Sequence, residues 1–187
     1  MAVLKLIFIF IIGDFIRNVM LYDPMFTYTV RFKKVSVHPN ELANFTINQY
    51  RGTQLFINGN LTLPPNIVTD KVIIFFHRCE SDGINCKYFQ TWIFTDICSK
   101  LKEKNQVWSR WYSSFDPPMV CPLDKVRYQI RNGTFDIGLV IASYPQVTYY
   151  QWRVIQKFYD NDTYLSSMIL DALYFGYRKK IKNIPKP

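Results

Sequence analysis

Phe26-Thr-Tyr-Thr-Val-Arg-Phe-Lys33 alternates apolar and polar side chains. Tyr28, Val30 and Phe32 fall on one face of an extended chain, and Thr29, Arg31 and Lys33 on the other. Successive strand residues point to opposite faces, so the segment reads as a strand with one face buried. The same reading extends outward. Phe45 and Ile47 belong to a second strand. Gln54 to Leu63 is a strand pair or one bent strand around Gly59, stopped by Pro64-Pro65. Lys71-Val-Ile-Ile-Phe-Phe-His77 is a strand with two apolar faces. Val126 to Ile130 alternates again, and Thr134 to Ala142, Tyr149 to Phe158 and Ser166 to Tyr177 are further strands. Between Trp92 and Leu101 the period changes: Ile93, Ile97 and Leu101 share one side of a short helix. Many short strands with turn signals between them predict an all-β fold, a sandwich or an open cup.

The chain has 187 residues, which suits one domain with a real core. Aromatic residues make up 17%, a stock that fits strands and the walls of an apolar cavity. At the N-terminus, Lys5 precedes the apolar run Leu6-Ile-Phe-Ile-Phe-Ile-Ile12. That run is too short to span a bilayer and has the order of a secretory signal peptide. Residues 1–20 are read as the signal and 21–187 as the domain, with uncleaved anchoring as the alternative. Four cysteines, Cys79, Cys86, Cys98 and Cys121, behind such a segment read as two disulfides. Their spacing leaves three pairings open. Asn44, Asn60, Asn132 and Asn161 each begin an Asn-x-Thr sequon, so each can accept a glycan on an exposed loop. Asn60 follows Gly59, and Asn132-Gly133 between alternating segments signals a hairpin. The compartment so implied is extracellular.

The formal net charge of +9 suits an anionic membrane surface or an acidic partner. No nucleic-acid motif accompanies it, and nucleic acid is not an expected partner. There is no P-loop, nucleophile elbow, H-E-x-x-H or G-x-G-x-x-G pattern. His77, in an apolar strand near Cys79, reads as a strand histidine more readily than as a catalytic base. No C-x-x-C motif is present and the only histidines are His38 and His77, so no metal site, cofactor or catalytic set is expected.

From Cys79 to Trp152 the chain carries an ordered set of features. Cys86-Lys-Tyr-Phe-Gln-Thr-Trp92 leads to Thr95-Asp-Ile-Cys98, then to Lys102-Glu-Lys-Asn-Gln-Val-Trp108 and Pro117-Pro-Met-Val-Cys-Pro-Leu123. Tyr128-Gln-Ile-Arg-Asn132 and Tyr149-Tyr-Gln-Trp152 close it. This order resembles the insect CheB-type chemosensory proteins, relatives of the ganglioside activator and of the ML lipid-recognition family. The resemblance implies two antiparallel sheets forming an open cup around an apolar cavity. It implies pairings Cys79–Cys86 and Cys98–Cys121. It also implies a secreted, non-enzymatic protein that binds a lipid or long-chain hydrocarbon in gustatory detection of contact pheromones. A membrane receptor or ion channel is then a candidate partner, and peripheral membrane contact is compatible with the charge. The alternative is an interaction protein of the same fold without a ligand; a secreted hydrolase or its accessory comes third. The chain departs from its relatives in lacking a cysteine in Ser166-Ser-Met-Ile-Leu170.

Seven aromatic residues are candidates to line such a cavity. Phe32, Tyr128 and Trp152 sit on the apolar faces of alternating strands, and Phe75 lies in a strand whose face is undetermined because Phe76 is equally apolar. Trp92, Trp108 and Trp111 flank the helix and the Pro117-Pro118 loop, where a mouth can form.

Overall fold

The computed structural model describes residues 26–50, 54–64, 69–121, 123 and 127–178. The signal-peptide reading therefore lies outside the described residues. Among the described residues nine strands form two antiparallel sheets; the all-β class is the one the alternation predicts, and the two-sheet arrangement is the one the resemblance implies. The strands are β1 (Phe26–His38), β2 (Ala43–Tyr50), β3 (Gln54–Thr62), β4 (Lys71–Cys79), β5 (Lys87–Thr95), β6 (Phe115–Asp116), β7 (Arg127–Gly133), β8 (Gln151–Asp160) and β9 (Thr163–Arg178). The larger sheet has the order β1-β9-β8-β4-β5, and the smaller β2-β3-β7-β6.

β1 contains a parity change that its side chains encode. Tyr28, Val30 and Phe32 alternate, but the next apolar pair is Val35 and Val37, one residue out of step. A register shift between Phe32 and Lys34 against β9 absorbs the extra residue. Such a bulge lets both apolar sets face inward. Val30, Phe32 and Val37 are accordingly all buried. Gln54 to Thr62 is one bent strand, not a pair. It bends where Gly59 passes β2, and a Cβ there would lie 2.0 Å from the Asn44 carbonyl oxygen. β8 and β9 join through Asn161 (φ 46°) and Asp162 (φ 65°). Two left-handed central residues make the tight hairpin turn that Asn and Asp tolerate best. The Asp70 carboxylate accepts the Asn161 N–H at 3.2 Å, and Lys71 pairs with Asp162.

Two segments differ from the sequence reading. Trp92 to Thr95 belongs to strand β5, and the helix α1 (Ile97–Lys102) begins only after Asp96 turns left-handed (φ 54°). Trp92 and Phe94 alternate with the β-branched Thr91, Ile93 and Thr95, and β-branched residues favour the pleat. The second case is Thr134 to Ala142, which is not a strand. It holds a loop and the helix α3 (Gly138–Ser143). Phe135, Ile137, Leu139 and Ile141 satisfy a period of two, while Ile137, Ile141 and Val140 also satisfy a helical period. The helix prevails where the Asp136 carboxylate accepts the Gly138 N–H at 3.2 Å, meeting one of the unpaired donors of a helix start. A further turn, α2 (Ser109–Tyr112), lies between α1 and β6. The described residues thus hold three short α-helical segments where the pattern suggests one.

The core lies between the sheets. Phe32, Ile57, Tyr128, Ile130 and Ile141 are its most enclosed large side chains. Phe75 faces the other way. Its neighbours Ile74 and Phe76 point between the sheets, whereas the Lys157 ammonium lies over the Phe75 ring at 5.3 Å on the outer face. On that same face the Arg153 guanidinium donates to both oxygens of buried Asp171, at 2.8 and 3.0 Å. Phe32→Ala is expected to cost about 3–5 kcal/mol, the usual range for emptying an enclosed aromatic site. Phe75→Ala should cost on the order of 1 kcal/mol, for partial burial. Urea unfolding of both variants checks the difference, and equal losses would contradict the assigned faces.

Candidate functional site

An apolar cavity of about 490 Å³ lies between the sheets. Protein interiors are packed to crystal density with few voids larger than water. A space this size falls within the range of small-molecule pockets, roughly 300–1,000 Å³. Alternation builds its floor. Val72, Ile74 and Phe76 come from β4, and Trp152, Val154 and Gln156 from β8. Trp92 and Phe94 extend the floor along the edge strand β5. A bulge between β4 and β5 leaves Phe89 unpaired beside Gln90. Both line the cavity and both are exposed, so it reaches the surface there. The opposite wall comes from α1, α2, the 134–137 loop and α3, with Leu101, Trp108, Trp111, Tyr112, Phe135 and Val140.

A smaller chamber of about 110 Å³ adjoins it, lined by Val37, Phe45, Leu61, Phe115, Phe158 and Met168 among others. Val72, Ile97, Leu101, Trp111 and Tyr112 border both spaces. Trp111 separates them. Its ring stacks on Phe135 of the larger chamber at 5.3 Å and 12°, and meets Phe115 and Phe45 of the smaller edge-on at 5.6 and 6.3 Å. Gly133 makes room for it, since a Cβ there would sit 2.8 Å from the indole.

All four tryptophans of the chain line the larger cavity: Trp92, Trp108, Trp111 and Trp152. The Trp152 indole N–H donates to the Val147 carbonyl at 2.8 Å and that of Trp108 to the Lys100 carbonyl at 3.2 Å. Trp108 is therefore anchored to the backbone rather than left with a wet N–H, and its apolar ring is what it offers. The other three candidates do not line the space. Phe32 and Tyr128 are packed in the core behind it, and Phe75 lies on the outer face. Phe76, Phe89, Phe94, Tyr112, Gln156 and Tyr174 were not singled out from sequence. Phe94 lies two residues beyond Trp92, and Gln156 four beyond Trp152, so strand parity carried the signal for both.

Two cross-links fix the site. Cys79–Cys86 closes the β4–β5 connection with Cα atoms 3.9 Å apart, and Cys98–Cys121 ties α1 to the segment after β6 at 5.6 Å. These are the pairings that the resemblance implies. Closing loops of 7 and 23 residues stabilises a chain by about 2–4 kcal/mol each. Two disulfides fit an oxidising compartment. Among the described residues, no helix is long and apolar enough to cross a membrane.

The four sequon asparagines are exposed. Asn44 and Asn60 face each other across β2 and β3, so Asn60 lies within a strand, not at a turn. Asn132 (φ 55°) ends β7 in a bulge, where its N–H donates to Asn58 Oδ1 at 2.8 Å. The Asn132-Gly133 hairpin is not formed; the tight hairpin falls at Asn161 instead.

His77 does not line the cavity and its Nδ1 makes no hydrogen bond among the described residues. Its ring meets Tyr88 at 6.1 Å. Among the described residues, no three His, Cys, Asp or Glu side chains gather as metal ligands do. Compared with known proteins, the chain matches no family model and has no significant curated match.

Tyr112 and Tyr174 both line the larger cavity. Burial pushes each phenol up to about 12, because a phenolate has no water to solvate it there. In the unfolded chain both phenols return to about 10. Above pH 10 the unfolded state therefore holds fewer protons, and folding stability falls as pH rises toward 12. Urea midpoints at pH 9 and pH 11 should drop for the wild type and drop less for a Tyr112→Phe, Tyr174→Phe double variant. An identical drop in both would contradict the enclosed position of these phenols.

Proposed function

We propose that this chain is a secreted carrier that takes the apolar tail of a lipid or long-chain hydrocarbon between its sheets. The observation that carries the proposal is a cavity of about 490 Å³ whose lining includes all four tryptophans of the chain. Removing apolar surface from water gains about 25 cal/mol per Å². Roughly 200 Å² of buried tail therefore gains about 5 kcal/mol before the costs of binding. The resemblance to the CheB-type and ganglioside-activator-like proteins supports the reading through the motifs from Cys79 to Trp152. Contact-pheromone detection, and delivery to a membrane receptor or channel, are what that resemblance implies. Exposed sequons and two disulfides support secretion. An interaction protein whose own side chains fill its interior accounts less well for the empty space.

Since every indole borders the cavity, tryptophan fluorescence reports on it directly. 1-Bromohexadecane, a quencher with a long apolar tail, should quench the emission saturably. Trp92→Ala, on the edge strand, should weaken that binding about tenfold, the loss of one good ring contact. Non-saturating quenching, or an affinity unchanged in Trp92→Ala, would count against the site.

A further inference from the structure

The cavity is apolar but not uniformly so. Gln156 occupies the middle strand of the five-stranded sheet, between Ile74 on β4 and Met168 on β9. Its side chain lines the larger cavity, and among the described residues its amide makes no hydrogen bond. Strand parity puts it with Trp152 and Val154, in a place where an aliphatic residue would pack without loss. Gln156 is half-buried and its amide keeps accessible surface, so a ligand that covered the amide without accepting its hydrogen bond would lose about 1–3 kcal/mol.

The surrounding polar groups narrow the chemistry of that partner. Gln156 is flanked on its strand by Val154, which lines the larger chamber, and by Phe158, which lines the smaller. Tyr112, from the opposite wall, borders both chambers. Its phenol makes no hydrogen bond to the described residues and stays protonated across the physiological range. Both groups are neutral, and both can donate to an oxygen. Among the described residues, the one charged side chain in the lining is Lys100. It is already paired with Glu103 at 2.6 Å and is partly exposed. Among the described residues a buried carboxylate or phosphate would meet no free cation beside Gln156, and an unpaired buried charge is far costlier than a neutral oxygen.

Resting on the carrier reading, the geometry points to a more specific ligand: an uncharged long-chain lipid whose ester, ketone or hydroxyl oxygen lies partway along the chain and accepts a hydrogen bond from the Gln156 amide, within reach of the junction that Tyr112 borders. Plain hydrocarbons enter the same space but leave the amide unsatisfied. Fatty acids gain nothing from it.

Displacement of 1-bromohexadecane, read as recovered tryptophan emission, tests this with hexadecane, a sixteen-carbon mid-chain ketone and palmitate at pH 8. In the wild type the ketone should displace at about tenfold lower concentration than hexadecane, the worth of one hydrogen bond, and palmitate should do no better than hexadecane. Gln156→Leu should bring ketone and hexadecane level while leaving hexadecane unchanged. Equal displacement by ketone and hexadecane in the wild type would overturn the assignment of Gln156 and leave the carrier reading intact. A tenfold preference that persists in Gln156→Leu would also overturn it. Absence of any bromoalkane quenching would overturn the carrier reading and this assignment together.

Discussion

Trp111 is packed at the middle of the interior, where the two chambers adjoin. Its ring stands between Phe135 on one side and Phe45 and Phe115 on the other, in a notch that exists because Gly133 carries no side chain. Aromatic pairs in stacked and edge-on arrangements are worth about 0.5–1.5 kcal/mol each beyond the area they bury. Three such contacts fix a rigid, flat side chain between the sheets. The indole lies where the space divides into two chambers, and Trp111 and Tyr112 border both. Elsewhere the sheets meet conventionally, through Phe32, Ile57, Tyr128 and Ile130.

The remaining features serve that arrangement. α2 presents Trp111 and Tyr112 to the cavity, and Trp108 just before it is fixed to the Lys100 carbonyl. Cys98–Cys121 fastens α1 to the loop that follows β6, so the α1–α2 part of this irregular wall is closed by a cross-link. Across from it the floor is a regular five-stranded sheet, whose parity sets Trp152, Val154 and Gln156 inward and Arg153 and Lys157 outward. A rigid floor facing a cross-linked wall of short helices suits a binding site that must keep its shape while empty.

Most of the sheet was legible from sequence because one face of each strand is buried, and alternation records that directly. The residues that misled were those compatible with two periods or two faces. Phe75 and Phe76 are chemically equivalent, and only the pairing of β4 with its neighbours assigns Phe76 to the interior and Phe75 to the surface. Residues 135–141 alternate and also repeat at helical spacing, and the Asp136 interaction at the helix start favours the helix. Ile93, Ile97 and Leu101 mimic a helix face across a strand end, with Asp96 as the break between them. In the site, the four tryptophans were legible as a group, whereas Phe32 and Tyr128 show why an inward-facing aromatic need not be a lining one. Burial and cavity contact share the same sequence signal, and only the distance between the sheets separates them.

Native mass spectrometry of the protein secreted from cultured cells tests the central claim most directly, since an apolar cavity in a lipid-rich medium fills. The account predicts a population heavier than the glycosylated chain by the mass of one lipid or long-chain molecule, released as an uncharged species by organic extraction and regained on incubation with it. A protein that always flies at its bare glycosylated mass, even after incubation with excess hexadecane, a mid-chain ketone and phospholipid, would contradict it.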